Sequence, residues 1–213
     1  MAKRRGRIVV AAGTNGAGKS AIVGESLAHN GAAYFNPDLY AGRLVAELGI
    51  PIEEANARSW ETGFHALQRA IEHNEDFNFE TTLGGRSIAR QLHQAAQAGL
   101  KIYVYYVGLA SVELHIRRVR QRVARGGHHI PEPRIRERYF KSMLNLIGLL
   151  GVASEVHLFD NSEESPDALP MVKRVFRMRG NRIVEPAIDK LLANALPWTQ
   201  PIVAAAIRIH ESR

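Results

Sequence analysis

Gly13-Thr14-Asn15-Gly16-Ala17-Gly18-Lys19-Ser20 reads G-x-x-x-x-G-K-S, and few eight-residue stretches constrain a chain so strongly. The spacing fits a loop wrapped around phosphate. Its glycines let successive backbone N–H groups turn inward with no Cβ in the way. A helix beginning near Gly18 directs its positive end at the same anion. Lys19 reaches the β- and γ-phosphates, and the Ser20 hydroxyl lies where Mg²⁺ binds. The flanks supply the order the motif needs. Arg7-Ile8-Val9-Val10-Ala11-Ala12 is an apolar run suited to a buried parallel strand, and Ala21–Leu27 continues in a helical pattern. Strand, loop and helix imply an α/β chain that binds a nucleotide.

The rest of the sequence alternates in the same way, predicting an α/β, doubly wound, mainly parallel sheet with helices on both faces. Strands are expected at Ile8–Ala12, Ala33–Asn36, Phe77–Glu80, Ile102–Val107 and Val156–Phe159. Helices are expected at Lys19–His29, Leu39–Leu48, Ile52–Asn74, Ser87–Ala98, Ser111–Arg125 and Pro133–Leu149. After Met171 the pattern changes to a hairpin about Gly180-Asn181, followed by helices broken near Pro197 and Pro201. We divide the 213 residues into a core, 1–165, and an extension packed on it, 166–213.

Open parallel sheets bind ligands at the carboxyl ends of their strands. Asp38 and Glu80 both fall there, beside the loop. Asp38 suits a base that accepts the proton of an acceptor hydroxyl, and it equally suits a helix N-cap. Glu80 suits orientation of Mg²⁺ through water, contact with substrate hydroxyls, or a salt bridge to an arginine. Thr81 and Thr82 either touch substrate or satisfy their own loop. Asp160-Asn161-Ser162, after the last core strand, reads as a turn near the nucleotide base rather than a metal-binding acid.

A second constellation is basic. Arg118, Arg122 and Arg125 share one helical face, then come Gly126-Gly127-His128-His129-Ile130-Pro131, then Arg134, Arg136 and Arg138. Two basic faces across a glycine hinge suit a lid, about 117–141, that closes over ATP and neutralises charge on the transferred group. His128 and His129 suit packing or hydrogen bonding in that lid. This segment also explains much of the net charge of +7. Nucleic acid is a weaker reading of that charge, carried by the basic start and the Arg174–Arg182 hairpin. The chain has no cysteine, which excludes thiolate chemistry and disulfides and fits the cytoplasm. Neither a membrane span nor a secretory signal is expected.

These stretches together resemble the zeta toxin family of P-loop kinases, in its shorter bacterial members. The matching pieces run from about Val9 to Ser162: the loop itself, Asn36-Pro37-Asp38, Phe79-Glu80-Thr81-Thr82-Leu83, Val107-Gly108-Leu109, Arg118–Val123, Gly126–Pro131, Arg136-Glu137-Arg138-Tyr139 and Asp160-Asn161-Ser162. The resemblance implies an ATP- and Mg²⁺-dependent kinase that phosphorylates the sugar 3′-hydroxyl of UDP-N-acetylglucosamine and is held in check by an antitoxin. Carried over, Asp38 is the base, Glu80 and Thr82 hold substrate, and Lys19 and Ser20 hold phosphates and Mg²⁺. Arg122 with Arg136 or Arg138 grips the triphosphate, with Arg118, Arg125 and Asn161 around the nucleotide. Rival readings are a kinase of another small hydroxyl compound, a regulatory or nucleic-acid-binding NTPase, and a catalytically idle interaction module.

Overall fold

The computed structural model describes residues 4–24, 33–127, 129–163 and 172–212. Its centre is a six-stranded sheet in the order β2-β1-β3-β4-β5-β6. Strands β1 (Arg7–Ala12), β2 (Phe77–Thr81), β3 (Lys101–Gly108) and β4 (Glu155–Asp160) are parallel, while β5 (Lys173–Arg179) and β6 (Arg182–Glu185) extend the edge antiparallel. The apolar run that predicted β1 is buried on both faces, as a central parallel strand requires. Ile8, Val10 and Ala12 join the main core on one face, and Ala11 joins a smaller cluster on the other with Ala17, Val23 and Val107.

Seven α-helices surround the sheet among the described residues: α1 (Pro37–Leu48), α2 (Ile52–His73), α3 (Arg86–Gln97), α4 (Val112–Ala124), α5 (Glu132–Leu149), α6 (Ile188–Ala193) and α7 (Gln200–Glu211). Leu67 of α2, Leu92 of α3, Leu146 of α5 and Ile202 of α7 all meet in the main core. Helices α4 and α5 have a small apolar cluster of their own, with Ile116, Val119, Ile130 and Ile135. Ion pairs Arg120–Glu132 and Arg136–Glu113 bind the two together. The resulting helical hairpin covers the sheet's carboxyl edge.

Two local expectations change. Ala33–Asn36 forms no strand; only Phe35 bridges Phe79, because Asn36 already caps α1 and Pro37 has no N–H for a ladder. The helix expected at Lys19–His29 is described only to Gly24, where Ser20–Gly24 forms a π-helical turn; the rest lies outside the described residues.

The C-terminal segment shares the core with the sheet. Phe176 and Met178 are fully buried. Trp198 packs so close to Gly108 that a Cβ there would lie 2.3 Å from the indole. Its Nε1–H donates to Asp160 Oδ1 over 2.9 Å. Trp198→Ala should therefore remove both a core aromatic and a donor to a buried carboxylate, costing roughly 3–5 kcal/mol in urea unfolding. A loss below about 1 kcal/mol would show that this segment does not share the core.

Candidate active site

The register of three strands builds the site. Ala12, the last residue of β1, stands level with Thr81 of β2 and Tyr106 of β3. The phosphate loop therefore leaves the sheet between Glu80-Thr81-Thr82 and Val107-Gly108. Gly13 has φ +136°, and a Cβ there would lie 2.0 Å from the Val107 carbonyl oxygen, so no larger residue fits.

Lys19 and Glu80 are 5% and 8% exposed, and Lys19 Nζ lies 3.4 Å from Glu80 Oε1. The other carboxylate oxygen, Oε2, accepts from Ser20 Oγ at 2.7 Å, Tyr34 OH at 3.0 Å and Asn36 Nδ2 at 3.2 Å. Glu80 thus pairs with the loop lysine, not with an arginine. Burial, reinforced by this carboxylate, pushes the Tyr34 phenol up, so Tyr34 stays a neutral donor. Ser20 and Glu80 offer hard oxygen donors side by side, a set suited to Mg²⁺ that keeps waters and shares substrate phosphates. No cluster of three or more metal-binding side chains occurs among the described residues.

Asp38 lies in the first turn of α1, but the cap is Asn36, whose Oδ1 accepts from the Asp38 and Leu39 N–H groups at 3.0 and 3.2 Å. The N-cap role weighed for Asp38 thus belongs to Asn36, and the Asp38 carboxylate is left to face a cavity of about 680 Å³. Lys19, Glu80, Thr81, Thr82 and Arg138 line the same cavity. Thr81 also accepts from the Leu83 N–H at 3.0 Å and Thr82 from the Gly84 N–H at 3.4 Å. Helix α5 fixes that loop through Ser142, which donates to the Thr82 carbonyl at 2.7 Å, and Asn145, which donates to the Leu83 carbonyl at 2.8 Å.

The arginines divide. Arg122 Nη1 lies 3.5 Å from Asp38 Oδ2. Arg138 Nη1 donates to Asn15 Oδ1 at 2.8 Å, joining α5 to the phosphate loop. Burial and nearby Arg134 hold the Arg138 guanidinium below its ordinary range. Arg118 lies over Gly16, with its guanidinium near the Glu163 carbonyl. Arg136 stands apart: two residues from both Arg134 and Arg138, it projects from the opposite helix face and pairs with Glu113 at 2.8 Å. Arg125, the exposed C-cap residue of α4, is not in the cavity wall. His129 is in the wall, whereas His128 lies outside the described residues. Asn161 Nδ2 donates to the Ala17 carbonyl at 2.8 Å, bracing the loop from β4. Asp160, the last residue of β4, accepts from Trp198 and Ser162.

Several participants escaped sequence reasoning. Tyr34 follows no motif. His115 is 1% exposed, and its Nδ1 lies 2.8 Å from the Asn15 carbonyl oxygen, so Nδ1 must carry the proton. Trp60 and Phe64 reach the cavity from α2, and only their i, i+4 spacing signalled a shared face.

A family profile described as an AAA domain matches residues 8–146, well over half of the chain. The chain belongs to this AAA-domain family. An uncharacterized protein of Haemophilus influenzae is 31% identical over 135 residues, which cover 60% of this chain and 88% of that protein. Among solved structures, the AvrRxo1-ORF1:-ORF2 complex with ATP superposes with a TM-score of 0.60 at 16% identity, covering 99% of this chain and 76% of the other. The PezAT chromosomal toxin-antitoxin system of Streptococcus pneumoniae gives 0.52 at 13% identity, covering 100% and 89%. A putative kinase from Chloroflexus aurantiacus gives 0.51 at 12%, covering 66% and 80%. At these identities the likeness is one of fold, and the fold is that of P-loop kinases.

His115 supplies a pH test of this geometry. Desolvation, helped by Lys19 and Arg118, lowers its pKa from 6.5 to about 4 against the opposing bond to Asn15. A depressed histidine pKa means the unfolded chain takes up protons first as pH falls. Its stabilising contribution is present above about pH 6.5 and is lost towards pH 4. Between pH 7 and pH 5 the wild type should lose about 2 kcal/mol more stability than His115→Gln in urea titrations. Parallel pH curves for the two proteins would contradict the assignment.

Proposed function

We propose that this protein is an ATP-dependent small-molecule kinase. The observation that carries the reading is that Asp38 faces the same cavity as the paired Lys19 and Glu80, with Ser20 bonded to Glu80. The phosphate loop and Lys19 hold the β- and γ-phosphates of ATP. Ser20, with Glu80 behind it, would hold Mg²⁺, which when bound neutralises phosphate charge. Asp38 accepts the proton of the acceptor hydroxyl as that oxygen bonds to the γ-phosphorus. The bond from phosphorus to the β–γ bridging oxygen breaks, and ADP leaves. Arg122, paired with Asp38, and Arg138, bonded to the phosphate loop, neutralise charge that develops on the transferred group. Glu80, Thr81 and Thr82 form the acceptor-side rim. Arg136 and Arg125 have no part in this scheme.

The likeness to zeta toxins supports UDP-N-acetylglucosamine as acceptor. The fold shared with the PezAT toxin-antitoxin system supports an antitoxin as partner, and both readings go with a cytoplasmic protein. No helix among the described residues is long and apolar enough to cross a membrane. The hairpin that could have gripped nucleic acid is already engaged, with Arg174 on Glu185 and Arg177 and Arg179 on Glu155. Those guanidiniums hold the Glu155 carboxyl down at about 2, against the effect of its burial.

Protein incubated with ATP, Mg²⁺ and UDP-N-acetylglucosamine should yield a product heavier by one phosphoryl group. An unchanged acceptor alongside active transfer to another compound would remove this acceptor and keep the kinase. Asp38→Asn should lower kcat by at least about 100-fold while ATP affinity stays within a few-fold. Undiminished transfer by that variant would remove Asp38 as base. Lys19→Ala should weaken ATP binding and turnover together.

A further inference from the structure

The cavity has a half that the transfer of a phosphoryl group leaves unused. Helix α2 turns its small and apolar positions Ser59, Gly63 and Leu67 into the protein. Gly63 admits the Phe35 ring to within 2.5 Å of where a Cβ would sit. One step around the helix, Trp60 and Phe64 are stacked, with centroids 5.0 Å apart and planes 13° from parallel. Both line the cavity, yet Trp60 is 50% exposed. A large aromatic left half open costs burial that the adjacent core stripe could have supplied. The cavity also takes in Arg134, which is exposed and has no carboxylate within ion-pair distance among the described residues. Its neighbour Arg138 is already bonded to Asn15. The open indole calls for a planar ring, and an exposed guanidinium with, among the described residues, only Glu137 near it on its own helix and no ion pair calls for an anion.

Resting on the kinase reading, we propose that Trp60 and Arg134 determine acceptor specificity: Trp60 stacks on a planar ring of the acceptor and Arg134 pairs with its anionic group, while its hydroxyl meets Asp38. An acceptor lacking a ring leaves the indole uncovered, and an uncharged one leaves Arg134 unpaired. The pocket thus selects a ring-bearing, anionic alcohol over a simple polyol.

The test uses binding, with the donor site filled by Mg²⁺ and a non-hydrolysable ATP analogue. UMP supplies ring and anion, uridine the ring alone, and ribose 5-phosphate the anion alone. Calorimetric titration of the wild type should show UMP binding more tightly than either fragment. Trp60→Leu should weaken UMP by at least about tenfold and leave ribose 5-phosphate nearly unchanged. Trp60→Phe should recover most of the loss, which guards against a folding defect. Arg134→Gln should weaken UMP by about tenfold or more and spare uridine. The proposal is overturned if UMP fails to bind the wild type, if Trp60→Leu binds it equally well, or if that variant loses ribose 5-phosphate to the same degree. Failure of the kinase reading shows itself separately, as absent phosphoryl transfer despite ring- and anion-dependent binding.

Discussion

A lysine and a glutamate buried against each other hold the site together. Removing both charges from water is costly, and such a pair is a poor way to stabilise a protein. Here the cost is met by geometry. Glu80 receives Lys19 on one oxygen and three hydroxyl or amide donors on the other. They come from two stretches of chain, Lys19-Ser20 and Tyr34–Asn36, so the carboxylate fixes the positions of the phosphate loop, the Tyr34–Asn36 segment and β2 relative to one another. None of this arises unless β1 and β2 pair parallel with Ala11 level with Glu80. The network leaves Ser20 and Lys19 aimed at the space where phosphates would lie.

The helical hairpin α4–α5 is the other half of the device. Its own small apolar cluster joins the N-terminal half of α5 to α4, while the C-terminal half of α5 belongs to the main core. The hairpin touches the phosphate loop through His115 and Arg138, both on Asn15, and touches Asp38 through Arg122. These contacts are few and polar; those of Arg122 and Arg138 are partly exposed and modest in energy, while that of His115 is buried. Under the kinase reading, that suits a cover that exchanges protein partners for phosphate oxygens. The neutral His115 adds a donor to this contact without adding charge beside Lys19.

Much of this was legible in the sequence because it rests on local rules. The phosphate loop is a fixed spacing, its strand is an apolar run, and the helices announce themselves by their period. Glu80 followed from a strand end, while Asp38 followed from an expected strand, Ala33–Asn36, that is only a bridge at Phe35. What sequence could not give was side-chain direction over long separations. Asn36 and Asp38 are two residues apart, and only the backbone at Pro37 decides which one caps α1. Arg134, Arg136 and Arg138 alternate in sequence, yet the helix turns the middle one away to Glu113. Ala33–Asn36 has strand composition, but its neighbours allow a single bridge. Tyr34, Trp60 and His115 belong to no motif, and their importance appears only when distant segments meet. The Trp198–Asp160 bond, across 38 residues, is of the same kind.

The most direct test of the central claim follows the γ-phosphoryl group itself. Phosphorus NMR of the protein with ATP, Mg²⁺ and the small-molecule fraction of a bacterial extract distinguishes transfer from hydrolysis. The two-substrate site predicts ADP together with a new phosphomonoester resonance, which disappears with Asp38→Asn. Inorganic phosphate as the sole partner of ADP, unaffected by that substitution, would contradict it and make the cavity that of an NTPase.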